Sequence, residues 1–207
     1  AIAEGHLRAR FGADVVSHHT FVLAGDGCFM EGVSHEAASL AGHLGLANLI
    51  CIYDDNHVTI DGDTDLAYSD DVEGRFRAYG WNVVQLGEMA DDLDGLERAL
   101  LDAKQETRRP TLLVLRSHIG YPSPDLTDDP HAHGNPFTAE HVTRTKEVMG
   151  IPDEPFWAPQ DVVDAYREHC AARGGAERTA WNDRLGSSSV DRAVWDAVWA
   201  CGGVPGW

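Results

Sequence analysis

An aspartate flanked by glycines, in Leu23-Ala24-Gly25-Asp26-Gly27, directly follows a short apolar run. Glycines on both sides allow a tight turn and let a ligand come close to the backbone. The helix expected a few residues later, from Glu31, turns its first N–H groups toward an anion. The aspartate alone would repel a phosphate at that place. It becomes favourable when a divalent cation sits between carboxylate and phosphate. By itself Gly-Asp-Gly is an ordinary turn sequence. It is no dinucleotide fingerprint either, because the glycine after Gly27 is Gly32, which breaks the GxGxxG spacing.

The second stretch is Ile52-Tyr53-Asp54-Asp55-Asn56-His57-Val58, at the end of the next apolar run. Asn56 follows Asp26 by thirty residues. A strand–helix–strand crossover of that length brings both positions to one sheet edge. A carboxylate and an amide carbonyl are hard oxygen donors of the kind magnesium or calcium prefers. Each motif is weak alone; at this spacing the two together point to a metal–phosphate site.

The elements that must position them follow from the hydrophobic pattern. Short apolar runs at Thr20–Ala24, Asn48–Tyr53, Asn82–Leu86 and Pro110–Arg116 predict strands. Residues 1–11, Glu31–Leu44, Asp70–Tyr79 and Asp91–Glu106 predict helices, with Gly12, Gly45 and Gly80 as stops. The α-β alternation predicts an α/β fold, a parallel sheet with helices on both faces. Ligands of such sheets bind beyond the carboxyl ends of the strands, so the loops after Ala24, Tyr53 and Arg116 share one edge. Residues 54–68 are expected to be a loop, and residues 119–136 a long functional loop. Thr138–Met149 predicts a helix and 151–159 an extended connector. Gln160–Leu185 predicts a polar helical stretch broken at Gly174-Gly175, followed by a glycine- and proline-rich tail. Two regions result: residues 1–150, and a connector with a helical extension over 151–207.

The net charge of -18 over 207 residues argues against nucleic acid, whose phosphates need a basic face. The four cysteines, Cys28, Cys51, Cys170 and Cys201, form no CxxC pair, which argues against zinc and against a disulfide framework. No apolar run reaches the length of a membrane span and no signal peptide is visible, so the cytoplasm is the expected compartment. The sequence opens without Met, inside a helical pattern, and its true beginning is expected upstream.

Gly25-Asp26-Gly27…Asn56 is similar to the thiamine-diphosphate signature. The longer runs Ala24-Gly-Asp-Gly-Cys-Phe-Met-Glu-Gly-Val-Ser-His-Glu-Ala, Tyr53-Asp-Asp-Asn, Ile60-Asp-Gly, Phe76-Arg-Ala-Tyr-Gly-Trp and His118-Ile-Gly-Tyr resemble bacterial and fungal transketolases specifically, over about residues 1–185. The resemblance implies a thiamine-diphosphate-binding fold of the diphosphate (PP) type, incomplete at its N-terminus. It implies thiamine diphosphate with Mg²⁺ or Ca²⁺ as cofactors. Asp26 and Asn56 would bind the metal through their side chains and Val58 through its carbonyl. Gly25 and Gly27 would lie at the diphosphate, with the Gly25 N–H donated to it. Ile119 would lie against the thiamine rings. His133, in Ala132-His133-Gly134-Asn135-Pro136, would be the catalytic histidine that reaches diphosphate and substrate. Glu31 would stand at a dimer interface and link two sites.

The implied reaction moves a two-carbon ketol unit between sugar phosphates, a ketose donor and an aldose acceptor, in pentose phosphate metabolism. The family's glutamate beside the aminopyrimidine belongs to a pyrimidine-binding domain outside these 207 residues, as do the arginines that grip the sugar phosphate. This chain would therefore be inactive alone and need that domain, in a longer chain or on a second one, as a homodimer or hetero-oligomer. It would be a longer chain given in part, a split-enzyme subunit or a gene fragment. The tail after Leu185 does not resemble the family's usual linker. A related ketol transferase, such as dihydroxyacetone synthase or deoxyxylulose-phosphate synthase, and a non-catalytic binding or assembly module are the competing readings.

Overall fold

A computed structural model describes residues 1–200; Cys201 and the rest of the glycine- and proline-rich end of the tail lie outside the described residues. The chain divides into two compact units, one built mainly from residues 19–157 and one from residues 2–18 with those after 157.

The first unit is organised around a four-stranded parallel sheet in the order β1-β2-β6-β5. Its strands are β1 (Thr20–Gly25), β2 (Leu49–Asp55), β5 (Asn82–Gly87) and β6 (Thr111–Arg116). Side chains alternate between the faces of a strand. The two parities of β2 and β6 therefore enter different cores. Cys51, Tyr53, Leu112 and Val114 pack under α2 (Asp26–Met30), α3 (Gly32–His43) and α4 (Val72–Ala78), around Phe29, Ala38, Ala41, Phe76 and Trp81. Ile50 and Leu113 pack on the other face with Ala103 and Leu100 of α5 (Leu93–Ala103). Apolar residues on both faces are what a doubly covered parallel sheet needs.

The helix ends have local causes. Asp71 and Asp92 accept the N–H groups of Gly74 and Gly95, at 2.8 and 2.9 Å, and so cap α4 and α5. α3 closes at Gly45, at φ 59°, with Leu46 N–H bonded to the Ala41 carbonyl at 3.1 Å, the Schellman arrangement.

Four expectations need correction. The helix after Gly25 begins at Asp26 itself, because the one-turn α2 precedes α3. The expected loop 54–68 carries a two-stranded ladder, β3 (Val58–Thr59) with β4 (Gly62–Asp63), and a short 3-10 turn; the Thr59 hydroxyl closes it on the Gly62 carbonyl at 2.9 Å. The 119–136 segment carries one helical turn, α6 (His131–Gly134), ahead of α7 (Ala139–Met149).

The last correction lies in the second unit. There α8 (Gln160–Ser187) runs unbroken through Gly174-Gly175. Each glycine costs about 1 kcal/mol against alanine. The strong helix formers around them, Ala171, Ala172, Arg173, Ala176 and Glu177, offset that cost. The tail also holds α9 (Arg192–Trp199), capped by Asp191 through the N–H groups of Ala193 and Val194. Trp195 packs with Phe11 of α1 (Ile2–Phe11), Val15, Val16 and Leu185, with ring centroids 5.0 Å apart for Phe11 and Trp195. Trp181 Nε1–H donates to the Val15 carbonyl at 2.9 Å.

Candidate functional site

The parallel register sets Gly25 level with Asp54, and Asp54 and Asp55 level with Leu115 and Arg116. Three strands thus end on one line, and the residues just past them meet. Asp26, the first residue after β1, is 2% exposed. Burial of a carboxyl group is tolerated only with partners. Asp26 has three: Tyr53 Oη–H donates to Oδ1 at 2.5 Å, and the N–H groups of Asn56 and His57 donate to Oδ2 at 3.2 and 3.0 Å. His57 takes φ 65°, which turns the chain so that two successive N–H groups aim at one oxygen. Burial first, and then the bond and negative charge of Asp26, push the Tyr53 phenol above its usual range. Tyr53 therefore keeps its proton and stays a donor.

Asn56 is held as firmly. Its Nδ2 donates to Asp54 Oδ2 at 3.2 Å, and its Oδ1 accepts the Val58 N–H at 3.0 Å. The Ser117 hydroxyl, from the end of β6, occupies the other oxygen of Asp54. Arg116 donates to the carbonyls of Asp55 and Ser117 at 2.8 and 2.9 Å, tying β6 to β2.

The donor chemistry fits a hard divalent cation. A carboxylate offers about four lone-pair positions. Asp26 uses three, which leaves one on Oδ1. The Asn56 amide oxygen uses one of its two. With the Val58 carbonyl this gives three oxygens of the type magnesium and calcium take. Among the described residues no group of three His, Cys, Asp or Glu side chains is placed to hold a metal. A cation here would need further oxygens from a ligand, as an anionic cofactor would provide.

The two glycines add to this. Gly25 has φ -89°, and a Cβ on it would meet only the Asp54 carbonyl, at 3.8 Å; a Cβ on Gly27 would meet nothing. Neither position requires glycine for its conformation or for packing within this chain. The space beside both backbones is open, which leaves room for a ligand to approach closely.

Ile119 and His133 lie elsewhere. Ile119 is half-buried in the segment after β6, and its carbonyl accepts the Asp128 N–H at 2.9 Å. Asp128 lines a cleft of about 270 Å³ together with Asn56, His57, Val58, Thr64 and Arg116, so this segment borders the Asp26–Asn56 region. His133 is exposed on α6. A Cβ on the adjacent Gly134 would stand 3.7 Å from the Ile60 side chain, which sets α6 beside the β3–β4 turn. No hydrogen bond described here joins Ile119 or His133 to Asp26. Glu31 is exposed between α2 and α3, and its carbonyl accepts from the Ser34 N–H and hydroxyl.

Sequence reasoning gave no role to Tyr53 or to the His57 N–H. The signal for Tyr53 was present: a tyrosine in a buried strand needs a partner for its hydroxyl. Nothing in the sequence foretold the positive φ of His57.

The family model described as "Transketolase, thiamine diphosphate binding domain" matches residues 1–195. A transketolase of Nostoc sp. is 44% identical over 185 residues, and transketolase 7 of Craterostigma plantagineum is 45% identical over 188. These alignments cover 88% and 89% of this chain and 28% of each relative. Among solved structures, transketolase from Leishmania mexicana superposes with a TM-score of 0.84 at 37% identity, over 89% of this chain and 28% of that one. A Pichia stipitis transketolase solved with sedoheptulose-7-phosphate gives 0.83 at 36%, over 90% and 28%. The chain thus spans just over a quarter of the length of the relatives it matches.

Proposed function

Since the chain belongs to the transketolase family, in its thiamine diphosphate binding domain, we propose that it is the diphosphate-binding part of an enzyme moving a two-carbon ketol unit between sugar phosphates. The observation that carries this reading is the buried Asp26, held by Tyr53, Asn56 and His57 beside two glycines that packing does not require. Asp26, Asn56 and the Val58 carbonyl would hold Mg²⁺, or Ca²⁺, which would supply positive charge to a diphosphate there. Gly25 and Gly27 let the diphosphate reach the backbone. Thiamine diphosphate supplies, when bound, the electron sink for breaking a carbon–carbon bond beside a carbonyl. Ile119 packs against its rings, and His133 reaches diphosphate and substrate. Glu31 faces a second subunit.

The pyrimidine-binding part comes from sequence beyond these residues or from a second chain, and turnover requires it. The sugar phosphates are those of the family, in keeping with the sedoheptulose-7-phosphate complex of the Pichia stipitis relative. Among the described residues no helix is long and apolar enough to cross a membrane. We place the protein in the cytoplasm.

Isothermal calorimetry of the chain with thiamine diphosphate, with and without Mg²⁺, tests the reading. We expect binding that depends on Mg²⁺ and a loss of at least about 100-fold in affinity for Asp26→Ala. Unchanged affinity in that variant would show that the metal site is elsewhere.

A further inference from the structure

One dense polar cluster lies beyond the cation and cofactor positions, and it centres on Arg75 of α4, whose side chain is 12% exposed. Nη1 donates to His35 Nε2 at 2.9 Å and to Asp70 at 2.8 Å. Nη2 donates to the Phe29 carbonyl at 3.1 Å and to Tyr68 Oη at 3.2 Å. Tyr68 Oη–H donates in turn to the same Phe29 carbonyl at 3.4 Å. Arginine has no acceptor, so His35 Nε2 must accept and its ring proton sits on Nδ1, facing Tyr79 Oη.

The position of Phe29 gives this cluster its meaning. The helix α2 has only five residues, with no side-chain cap at its start. A helix so short does not hold itself, and its last carbonyls need donors from outside. The Phe29 ring is gripped by edge contacts with Tyr53 and Phe76, at 4.9 and 5.2 Å between centroids. Its carbonyl is gripped by Arg75. Asp26 opens the same single turn. A fork of rigid donors can hold α2, α3 and the segment before α4 at once; a lysine ammonium on its flexible stem cannot.

We propose that Arg75 is a positioning residue for Asp26: by pinning the Phe29 carbonyl and His35, it fixes α2 in the orientation that keeps the Asp26 carboxyl on the N–H groups of Asn56 and His57. Its functional consequence rests on the cofactor reading above; its structural content does not.

Hydrogen–deuterium exchange of the whole chain tests the proposal, since Arg75 contacts neither Asn56 nor His57 through any hydrogen bond described here. In Arg75→Lys, the amides of Asn56 and His57 should exchange about tenfold faster, while those of Leu112–Val114 in β6 stay unchanged. Mg²⁺-dependent thiamine diphosphate affinity should fall about tenfold in parallel. Tyr68→Phe, which removes the second donor to the Phe29 carbonyl and the hydroxyl that accepts from Arg75 Nη2, should raise exchange at the same two amides about two- to threefold, and it decides the matter if the lysine variant does not fold. Unchanged exchange at Asn56 and His57, or equal acceleration across β6, would overturn the proposal. A wild-type chain that binds no cofactor, with the exchange pattern as expected, would support the role of Arg75 and sink the cofactor reading instead.

Discussion

Asp26 and Asn56 stand just beyond neighbouring parallel strands, whereas Ile119 and His133 stand in the long segment that follows β6. In the first region every polar group that can be traced has a partner. The Asp26 carboxyl meets three donors, and both ends of the Asn56 amide are used. The second region is more open: His133 and the imidazoles of His118 and His131 are exposed, the hydrogen bonds of His118 to Asp128 and of His131 to Asp129 are local, and Arg144 of α7 pairs with Asp125. The end proposed for metal and diphosphate is thus preorganised by the sheet. Among the described residues, no hydrogen-bond network like the one around Asp26 surrounds the side chains of Ile119 and His133. A part-site of this kind should bind the diphosphate end of a cofactor before it can do anything with a substrate.

The difference can be attacked from the sheet side first. Tyr53→Phe removes one of three donors to a buried carboxyl group and nothing else of size. We expect a stability loss of about 1–2 kcal/mol in chemical denaturation. Cofactor affinity by calorimetry should fall about tenfold, because Asp26 Oδ1 is then free to swing off the cation. Wild-type values for both would mean that Asp26 is not held as tightly as its geometry implies.

How much of this was legible in the sequence follows from the same contrast. Strand and helix positions came from apolar runs, helical periodicity and glycine stops, which are local signals, whereas the strand order β1-β2-β6-β5 was not read from the sequence. Asp26 and Asn56 came together on the page because a crossover of that length returns to the same edge. Arg75 was invisible as a partner of this site, and for Tyr53 only the need of some partner could be read, since each acts across a distance that only packing closes: 46 residues from Arg75 to Phe29 and 27 from Tyr53 to Asp26. The unbroken α8 was misjudged because two adjacent glycines were given more weight than the helix formers around them. The helix α9 was missed although Asp191 before Val194, Trp195 and Val198 is a capped amphipathic pattern.

A smaller effect probes how dry the sheet side is. Burial first, and the nearby Cys28 second, push the Cys51 thiol up to about 12 from 9.0. The folded state thus keeps a proton that the unfolded chain releases above about pH 9. This contribution is fully present below that pH and is lost as pH rises toward 12. Between pH 9 and 11 the loss should approach roughly 1–2 kcal/mol. Denaturation curves for wild type and Cys51→Ala, which lacks the titrating group, should diverge in slope over that window alone. Parallel slopes would show that water reaches this face of β2.

The smallest effect is expected on the loop side. His133 is exposed on a four-residue helical turn, so His133→Ala should change stability by less than about 0.5 kcal/mol. In the chain alone it should weaken Mg²⁺-dependent cofactor binding only about threefold, since one rim contact with a phosphate is worth little beside a buried cation. The same substitution should matter far more for turnover once a pyrimidine-binding partner is supplied, because the partner would close the open side and desolvate the imidazole. Calorimetry on the chain, set beside activity of the assembled enzyme, separates the two. A loss of affinity in the chain alone as large as that of Asp26→Ala would erase the contrast, since it would require the loop to be as preorganised as the strand ends.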